Sequence, residues 1–269
     1  MMVKILLVVQ VVICSVAIVD AQSWEKLADG LLFAEFPSPQ KSRVGDSRIS
    51  VLKIDPGKFQ FKLLCLSELG GSLKSVRTWC EEEEVLGAIN AGMYQTDSLS
   101  SVGYMRNFDH VNSRAIRTNY KSAFMFNPKK QTQDEVIIAD AECENFKTMN
   151  RQYHCVFQGI RMISCTGRNV WSQQQKKNSI AALAVDGRGH VLWLFSRSPY
   201  STFDFITIIR NLPLDIARAM YLEGGSPASM YVRHKGKTVE RYGLYESRFV
   251  SEPLTIRHRL PNVLAIVKK

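Results

Sequence analysis

The segment at residues 219–231, which reads AMYLEGGSPASMY, most strongly constrains how this chain can fold. Its first four residues are apolar and predict a short buried strand, which ends on the carboxylate of Glu223. Gly224 and Gly225 follow, and glycine permits the positive φ or close backbone approach that a sharp turn needs. One interpretation is a strand, a glycine turn and a second strand. The other is a polar site, where the carboxylate meets backbone N–H groups and the Ser226 hydroxyl.

The first 21 residues have the pattern of a secretory signal peptide. Lys4 precedes an apolar core at residues 5–18, and compact residues lead to Ala21, after which we expect cleavage. The core is short for a membrane span, and an uncleaved anchor is the alternative. No later segment is apolar enough to span a bilayer. We therefore expect an exported protein, periplasmic or secreted, with a mature domain at residues 22–269.

The formal net charge of +10 bears on the partners of the chain. The signal contains one lysine and one aspartate, so its removal leaves this charge unchanged. A basic exported protein suits anionic partners such as phosphate-bearing glycans, cell-wall polymers or membrane surfaces. Nucleic acid is a less natural partner after export, and the basic residues form scattered pairs rather than one long run. We expect no nucleic-acid partner.

Export also makes disulfides plausible. Removal of the signal takes away Cys14 and leaves five cysteines, which form at most two bridges. A bridge between Cys143 and Cys155 would close a polar loop, and one between Cys65 and Cys80 would tie a strand to a helix. Spacing alone leaves the connectivity open. No cysteine and histidine cluster has the spacing of a zinc site.

Apolar segments of strand length dominate the chain, and helical patterns are few. Strands and helices do not alternate regularly. This pattern predicts an α+β fold, with a single domain that contains an extensive mixed or antiparallel sheet and a few flanking helices.

Local signals place some of the elements. Turn residues at 55–57 predict a hairpin between strands at 47–54 and 59–66. Asp186 and Gly187 predict a second hairpin between the two apolar runs that flank them. Two helices and one irregular polar segment are expected: a helix from a Ser72 cap to Glu82, a helix at 199–211 behind a Ser201 or Thr202 cap, and the irregular segment at 141–151.

Several apolar strands end in polar side chains, namely Asn90, Gln158, Asp186 and Glu223. If these strands share a sheet or lie in two facing sheets, the side chains would converge on one cleft. Asn90 is also a common turn residue, and Asp186 suits hairpin chemistry. Glu223 is the hardest to explain structurally, because a carboxylate after a buried strand is costly unless it is paired or hydrated. No phosphate-binding loop, dinucleotide fingerprint or zinc-protease motif is present, and nothing pairs a serine, histidine and aspartate.

Five motifs follow one another along the chain: INAGMY at 89–94, QG at 158–159, LAVDGRG at 183–189, SPYSTFDF at 198–205 and AMYLEGGSPASMYV at 219–232. In this order they resemble the motifs of the phosphodiester glycosidase family, in particular its small exported bacterial members. The resemblance covers roughly residues 48–268. An animal relative, the lysosomal "uncovering enzyme", removes N-acetylglucosamine from a sugar-phosphate diester.

The resemblance implies roles for single residues, with departures from the family pattern. Glu223 stands where the family has aspartate in its D-G-G-x-S motif, Lys177 replaces an arginine, and Gly-Ile-Arg at 159–161 replaces a glycine–proline. Glu223 is implied to activate water or attack the anomeric carbon, with Asp186 as its partner. Binding of the sugar and its phosphate is expected from Asn90, Gly92, Gln158, Arg161, Lys177, Asn178, Gly224, Gly225 and Ser226.

The implied function is hydrolysis of the anomeric C–O bond of a sugar-1-phosphodiester, such as a GlcNAc-1-phosphodiester or an envelope glycan phosphodiester. The alternative is a non-catalytic envelope protein that binds anionic glycan or cell-wall polymer. A secreted structural protein with disulfide-stapled loops is a third interpretation. No organic cofactor is expected. The sequence leaves open a divalent metal held by Asp186 and Glu223, the physiological substrate and the oligomeric state.

Overall fold

The computed structural model describes residues 23–244 and 257–269, so the predicted signal peptide at residues 1–21 lies outside the described residues. The strands, numbered in chain order, are β1 Glu25–Ala28, β2 Leu31–Pro37, β3 Arg48–Ile54, β4 Phe59–Cys65, β5 Gly87–Asn90, β6 Met105–Asn107, β7 His110–Ser113, β8 Lys121–Pro128, β9 Val136–Asp140, β10 Tyr153–Ile163, β11 Asn178–Asp186, β12 Val191–Tyr200, β13 Ile216–Gly224, β14 Ser229–His234, β15 Lys237–Tyr242 and β16 Asn262–Lys268. The helices are α1 Leu66–Leu69, α2 Val76–Glu82, α3 Phe146–Asn150 and α4 Thr202–Arg210.

The strands form two sheets, and the pairings among the described strands are antiparallel. The larger sheet has the order β1-β2-β3-β12-β11-β13-β10-β6-β7, with β8 beside β10 and β9 beside β8. The smaller sheet has the order β15-β14-β5-β16-β4. The predicted α+β class, with extensive sheet and few helices, is confirmed. Within the described residues, no helix is both long and apolar enough to cross a bilayer.

The two sheets face each other across one apolar core. Trp193 and Phe157 of the larger sheet and Phe61 and Leu264 of the smaller sheet belong to this core. Each sheet also has a covered outer face. Helix α4 packs on the outer face of the larger sheet, and α2 packs on that of the smaller sheet. The central strands are therefore buried on both faces.

Strand β11 shows how the sequence produces this layering. Side chains alternate between the two faces of a strand. Ala181 and Leu183 join the core between the sheets, whereas Ile180 and Ala182 pack towards α4. Because both faces are covered, the strand has the continuous apolar run that the sequence displays instead of an apolar–polar alternation.

The predicted hairpin between residues 47–54 and 59–66 is wrong. Strand β3 pairs with β2 and β12 in the larger sheet, whereas β4 pairs with β16 in the smaller sheet. The intervening turn, in which the Gly57 N–H donates to Asp55 Oδ1 at 2.8 Å, carries the chain from one layer to the other. The same local turn chemistry suits both arrangements, so the sequence does not distinguish them.

Other local predictions have mixed outcomes. The hairpin at Asp186 and Gly187 is confirmed, because β11 pairs with β12. Ser201 caps α4 as expected. The cap of α2 is Ser75 rather than Ser72. The Ser75 hydroxyl accepts a hydrogen bond from the Thr78 N–H in the first turn of the helix. The segment at 141–151 is not wholly irregular, because it contains α3.

One disulfide joins Cys143 and Cys165. This pairing corrects both candidate bridges, since Cys65, Cys80 and Cys155 are buried free thiols. The bridge connects the segment after β9 to the turn after β10. It therefore fixes a part of the surface that consists mostly of turns.

Replacing Cys143 and Cys165 by alanine is expected to lower the free energy of unfolding by about 3 kcal/mol, because the bond closes a loop of 22 residues in the unfolded chain. Urea denaturation of the parent and the double variant measures the difference. As a control, dithiothreitol should destabilise the parent by a similar amount and leave the double variant unchanged. Equal stability of the two proteins would contradict the expectation.

Candidate active site

Glu223 lies where the chain leaves the larger sheet and enters the smaller one. It is the second-last residue of β13, and β14, which follows a short turn, belongs to the smaller sheet. In that turn Gly225 has a φ of 71°, and its N–H donates to Ser179 O at 2.9 Å. The strand, glycine turn and second strand expected from the sequence are therefore present.

A β-bulge in β13 interrupts the strand next to Glu223. Tyr221 is opposite Ala182 and Glu223 is opposite Ala181, so Leu222 is the extra residue. Ala181 belongs to the core between the sheets, and directly opposed residues share a face of the sheet. With regular alternation, Glu223 would share the outer face with Tyr221. The bulge breaks this alternation between Tyr221 and Glu223.

Glu223 is a half-buried residue, and within the described parts of the chain no cation pairs with its carboxyl group. Its hydrogen bond there comes from the Gly224 N–H, which donates to Oε1 at 2.9 Å. Burial raises the pKa of Glu223 to about 7, and the Gly224 N–H only partly opposes this rise. A carboxyl group with such a pKa exists in both protonation states near neutral pH. This property is typical of groups that perform acid–base or nucleophilic chemistry.

Three tyrosines lie near Glu223, and they come from different parts of the fold. Tyr94 follows β5, Tyr120 precedes β8, and Tyr221 lies in β13. Burial raises the pKa of each phenol, and the negative charge of Glu223 raises it further. A Cβ atom on Gly224 would lie 1.9 Å from the Tyr221 hydroxyl, so this glycine leaves room for the phenol. Three phenols thus lie within reach of the charge of Glu223.

A histidine extends this group of side chains. Tyr94 Oη and His258 Nε2 are 2.7 Å apart. Burial lowers the pKa of His258, which favours the neutral imidazole at neutral pH. The tautomer of this imidazole determines whether Nε2 donates to Tyr94 or accepts from it. Tyr94 therefore interacts with His258 directly and with Glu223 through its charge.

The amide of Asn90 holds the turn that follows Glu223. Its Nδ2 donates to Pro227 O at 3.0 Å, and its Oδ1 accepts from the Ser229 N–H at 2.7 Å. Asn90 ends β5 and is buried, so this clamp joins the smaller sheet to the turn. The predicted sugar-binding amide is thus already engaged within the protein, in a position that fixes Glu223.

Gln158 supports the segment that carries Tyr120. Its Oε1 accepts from the N–H groups of Tyr104 at 3.0 Å and Arg117 at 2.9 Å, and its Nε2 donates to Arg117 O at 3.1 Å. The Tyr120 N–H donates to the same carbonyl. Gly92 has a φ of 89° and lies against the backbone of Gln158. Gln158 and Gly92 therefore position the wall of the site.

Asp186 lies at the opposite end of the larger sheet from Glu223. Ala181 is opposite Glu223, whereas Asp186 is opposite Ile216. A rise of about 3.3 Å per residue places the two carboxylates roughly 16 Å apart along the strand. The interpretation of Asp186 as the partner of Glu223 is therefore wrong, and the two residues cannot share a metal ion. Within residues 23–244 and 257–269, no group of three or more His, Cys, Asp or Glu side chains is placed to hold a metal.

The contacts of Asp186 are those of a structural residue. Lys53 Nζ lies 2.7 Å from Oδ2, and the N–H groups of Arg188 and His190 both donate to Oδ1 at 2.9 Å. Burial would raise the pKa of Asp186, but Lys53 and the two N–H groups outweigh it and lower the pKa. These bonds close the hairpin between β11 and β12.

Arg161 is paired within the protein. Its guanidinium donates to Asp140 Oδ1 at 2.8 Å and to Glu142 Oε1 at 2.9 Å. Arg161, with help from Lys121, lowers the pKa of Glu142 to about 2. Because two carboxylates neutralise this buried guanidinium, the structure does not support Arg161 as a phosphate ligand.

Lys177, Asn178 and Ser226 lie at the same end of the larger sheet as Glu223. Strand β11 begins at Asn178. Ile180, two residues later, pairs with Gly224 of β13. Lys177 is exposed, whereas Asn178 and Ser226 are half-buried. Strand pairing and chain order thus place Lys177, Asn178 and Ser226 near the Glu223 turn, and the Asn90 amide is bonded to that turn.

Four aromatic residues of this site were not expected from the sequence. Tyr94 closes the INAGMY motif and Tyr221 precedes Glu223 by two residues, so both had a local signal. Tyr120 and His258 lie in turn-rich segments, and no sequence pattern marks them. Only the folded chain brings Tyr120 and His258 to the Glu223 turn.

The chain belongs to the phosphodiester glycosidase family, whose sequence model matches residues 83–267. This finding confirms the resemblance inferred from the motifs. Together with the fold, it supports a glycosidase-type hydrolase in general. No curated protein sequence matches the chain significantly.

Two solved structures share the fold. A hypothetical protein from Synechocystis has a TM-score of 0.65 at 14% sequence identity, over 93% of this chain. This chain spans 64% of the length of that protein. The catalytic domain of zebrafish N-acetylglucosamine-1-phosphodiester alpha-N-acetylglucosaminidase, auto-inhibited by its pro-peptide, has a TM-score of 0.57 at 10% identity, over 89% of this chain and 82% of that domain. At these identities the similarity shows the fold alone.

Glu223→Gln is expected to stabilise the protein at pH 8 and to change little at pH 4.5. The pKa of Glu223 is about 7 in the folded chain and 4.5 for an ordinary glutamate. Between these values the folded state keeps a proton that the unfolded state releases, so wild-type stability falls as the pH rises through this window. The loss is about 3 kcal/mol. Glutamine stays neutral at every pH, so the variant does not lose this stability.

Urea denaturation at pH 4.5, 6 and 8 measures this effect. The matched control is Glu135→Gln, because the Glu135 side chain is 56% exposed and pairs with Lys269 on the surface. The control should show no comparable gain at pH 8. A Glu223→Gln variant that is no more stable than wild type at pH 8 would show that the carboxyl group ionises at little cost.

Proposed function

We propose that this protein is a hydrolase that cleaves the anomeric C–O bond of a sugar-1-phosphodiester. The observation that carries the proposal is Glu223, a desolvated carboxyl group at the site of the family's carboxylate–glycine–glycine motif, to which no cation is paired among residues 23–244 and 257–269. Family membership supplies the reaction class. The physiological diester is a GlcNAc-1-phosphodiester or a glycan phosphodiester of the cell envelope.

In the reaction, the bond between the anomeric carbon and a phosphate oxygen breaks. Its electron pair leaves with the phosphate, which becomes a monoester, and a water oxygen ends on the anomeric carbon. Because the phosphate is already a good leaving group, little help from a general acid is needed. Ionised Glu223 activates the water or attacks the anomeric carbon, and its charge supports the oxocarbenium-like transition state.

The aromatic surroundings assist this role. The phenols of Tyr94 and Tyr120 lie close enough to Glu223 to feel its charge. Tyr94 is oriented by its contact of 2.7 Å with His258 Nε2. Hydroxyl groups in these positions suit hydrogen bonding to the sugar, whereas Asn90 acts as a positioning residue for the turn.

Exposed Lys177 and half-buried Asn178 are the proposed ligands of the phosphate. The N–H groups of Gly224 and Gly225 were predicted to share this role. Both N–H groups donate within the protein, to Glu223 Oε1 and to Ser179 O. The phosphate therefore depends on side chains at the start of β11 rather than on the glycine backbone.

Export to the periplasm or the cell exterior is part of the proposal. The Cys143–Cys165 disulfide is typical of oxidising compartments. The formal net charge of +10 suits a phosphorylated envelope glycan as substrate. Fractionation of cells that express the full chain tests this part, because the mature protein should be absent from the cytoplasm.

Glu223→Gln is expected to lower kcat about 10²- to 10⁴-fold, because it removes the ionisable group. Release of free sugar from a GlcNAc-1-phosphodiester measures the rate, and Glu135→Gln serves as the surface control. Unchanged turnover by the Glu223→Gln variant would remove Glu223 from its role. Binding of the diester by the wild type without any turnover would instead favour the non-catalytic envelope protein.

The pH dependence of kcat/KM is expected to follow Glu223. Because the ionised carboxylate is the working form and its pKa is about 7, the rate should rise with pH and level off above pH 7. A profile between pH 5 and 9 with the same diester measures the ascending limb. A rate that falls across pH 7 would contradict a nucleophile or base and indicate a general acid.

A further inference from the structure

An open cleft of about 330 Å³ shares Tyr120 with the candidate active site. Two aromatic residues, Tyr120 and Trp171, line it together with the polar residues Asn119, Ser172 and Gln174. None of these residues was expected to bind substrate, and neither the family match nor the fold assigns a role to this cleft. Its lining combines flat apolar rings with neutral hydrogen-bonding groups.

The cleft is connected to Glu223 through two side chains. Tyr120 lines the cleft, and its phenol also lies within the electrostatic reach of Glu223. Trp171 packs against Tyr221, with ring centroids 6.1 Å apart. Tyr221 in turn reaches Gly224, next to Glu223. A ligand that extends from Glu223 across these rings would therefore enter the cleft.

The charges that border the cleft cancel one another. Arg161 and Lys121 both line it. Arg161 pairs with Asp140 and Glu142, and Lys121 Nζ lies 2.9 Å from Glu142. Two cations thus face two carboxylates, and both of the basic residues that line the cleft in the described part of the chain are paired. The cleft is therefore suited to a neutral group.

The aromatic wall is held in place before any ligand arrives. Trp171 Nε1 donates to Arg161 O at 2.7 Å, and the Trp171 N–H donates to Asn169 Oδ1 at 3.0 Å. Gln174 Oε1 accepts from the Thr202 N–H at 3.3 Å, which fixes the amide of this lining residue. A fixed ring needs little further ordering on binding, and this favours affinity.

We infer that this cleft is a subsite for a neutral pyranose, placed beside the sugar that reacts at Glu223. The inference rests on the proposed function, because it takes the reactive sugar to sit at Glu223. The apolar face of a pyranose packs on Trp171, and its hydroxyl groups bond to the neutral polar side chains. The substrate is accordingly a diester that carries further saccharide, rather than a single sugar joined to a small phosphoester.

Isothermal titration calorimetry with three neutral disaccharides tests the subsite: N,N′-diacetylchitobiose, cellobiose and maltose. The titrated protein is Glu223→Gln, and wild type is titrated in parallel. At least one disaccharide should bind, and inorganic phosphate at equal concentration should not displace it. Trp171→Ala should weaken this binding about fivefold or more. Gln174→Ala should also weaken this binding. This second variant keeps the test decisive if the Trp171→Ala protein does not fold.

Trp24→Ala is the matched control, because Trp24 packs on Phe36 and is not one of the residues that line the cleft. It should bind the disaccharide as the parent does. Absence of binding by all three disaccharides, or unchanged affinity in both cleft variants, would overturn the inference. Disaccharide binding that depends on Trp171 in a protein without diesterase activity would support the subsite and reject the proposed reaction. Diesterase activity with an unchanged KM for a saccharide-bearing diester in both cleft variants would support the proposed reaction and reject the subsite.

Discussion

The desolvated carboxyl group of Glu223 is the constraint on which the site depends. An ionised carboxylate away from water and from cations is costly, and the chain tolerates this one at the end of its apolar core. Three structural devices hold it there. The bulge at Leu222 breaks the alternation of β13 just before Glu223, the Asn90 amide clamps the following turn, and Gly224 leaves room for the Tyr221 phenol. Each of these devices positions the residues of the site rather than binding the substrate.

The other buried charges of the molecule show the contrast. Asp186 is matched by Lys53 and two N–H groups, and Arg161 is matched by two carboxylates. These groups are satisfied, and they hold a hairpin and a turn-rich surface in place. Glu223 has only the Gly224 N–H within the described residues. A buried titratable group that the fold leaves unbalanced is the one available for chemistry.

The sequence was sufficient for the fold class and for the strand, glycine turn and strand around Glu223. The sequence shows these features locally: the run of residues 219–223, the glycines that follow it and the continuous apolar strands. Such local patterns can be recognised without knowing which distant segments pair. The sheet partner of β4 and the Cys143–Cys165 bridge depend on contacts between distant segments, which spacing does not encode. The same reason explains why Asp186 was grouped with Glu223. Both end apolar strands, but antiparallel pairing places them at opposite ends of one sheet.

The central claim is that the Glu223 carboxyl group keeps its proton to near-neutral pH. A ¹³C NMR titration of the glutamate side chains measures this directly, with the Glu223 signal assigned by its absence from the Glu223→Gln spectrum. The account predicts a titration midpoint at a pH of about 7. A midpoint near 4.5, the ordinary value for glutamate, would show that the carboxyl group is solvated or paired, and would contradict the account.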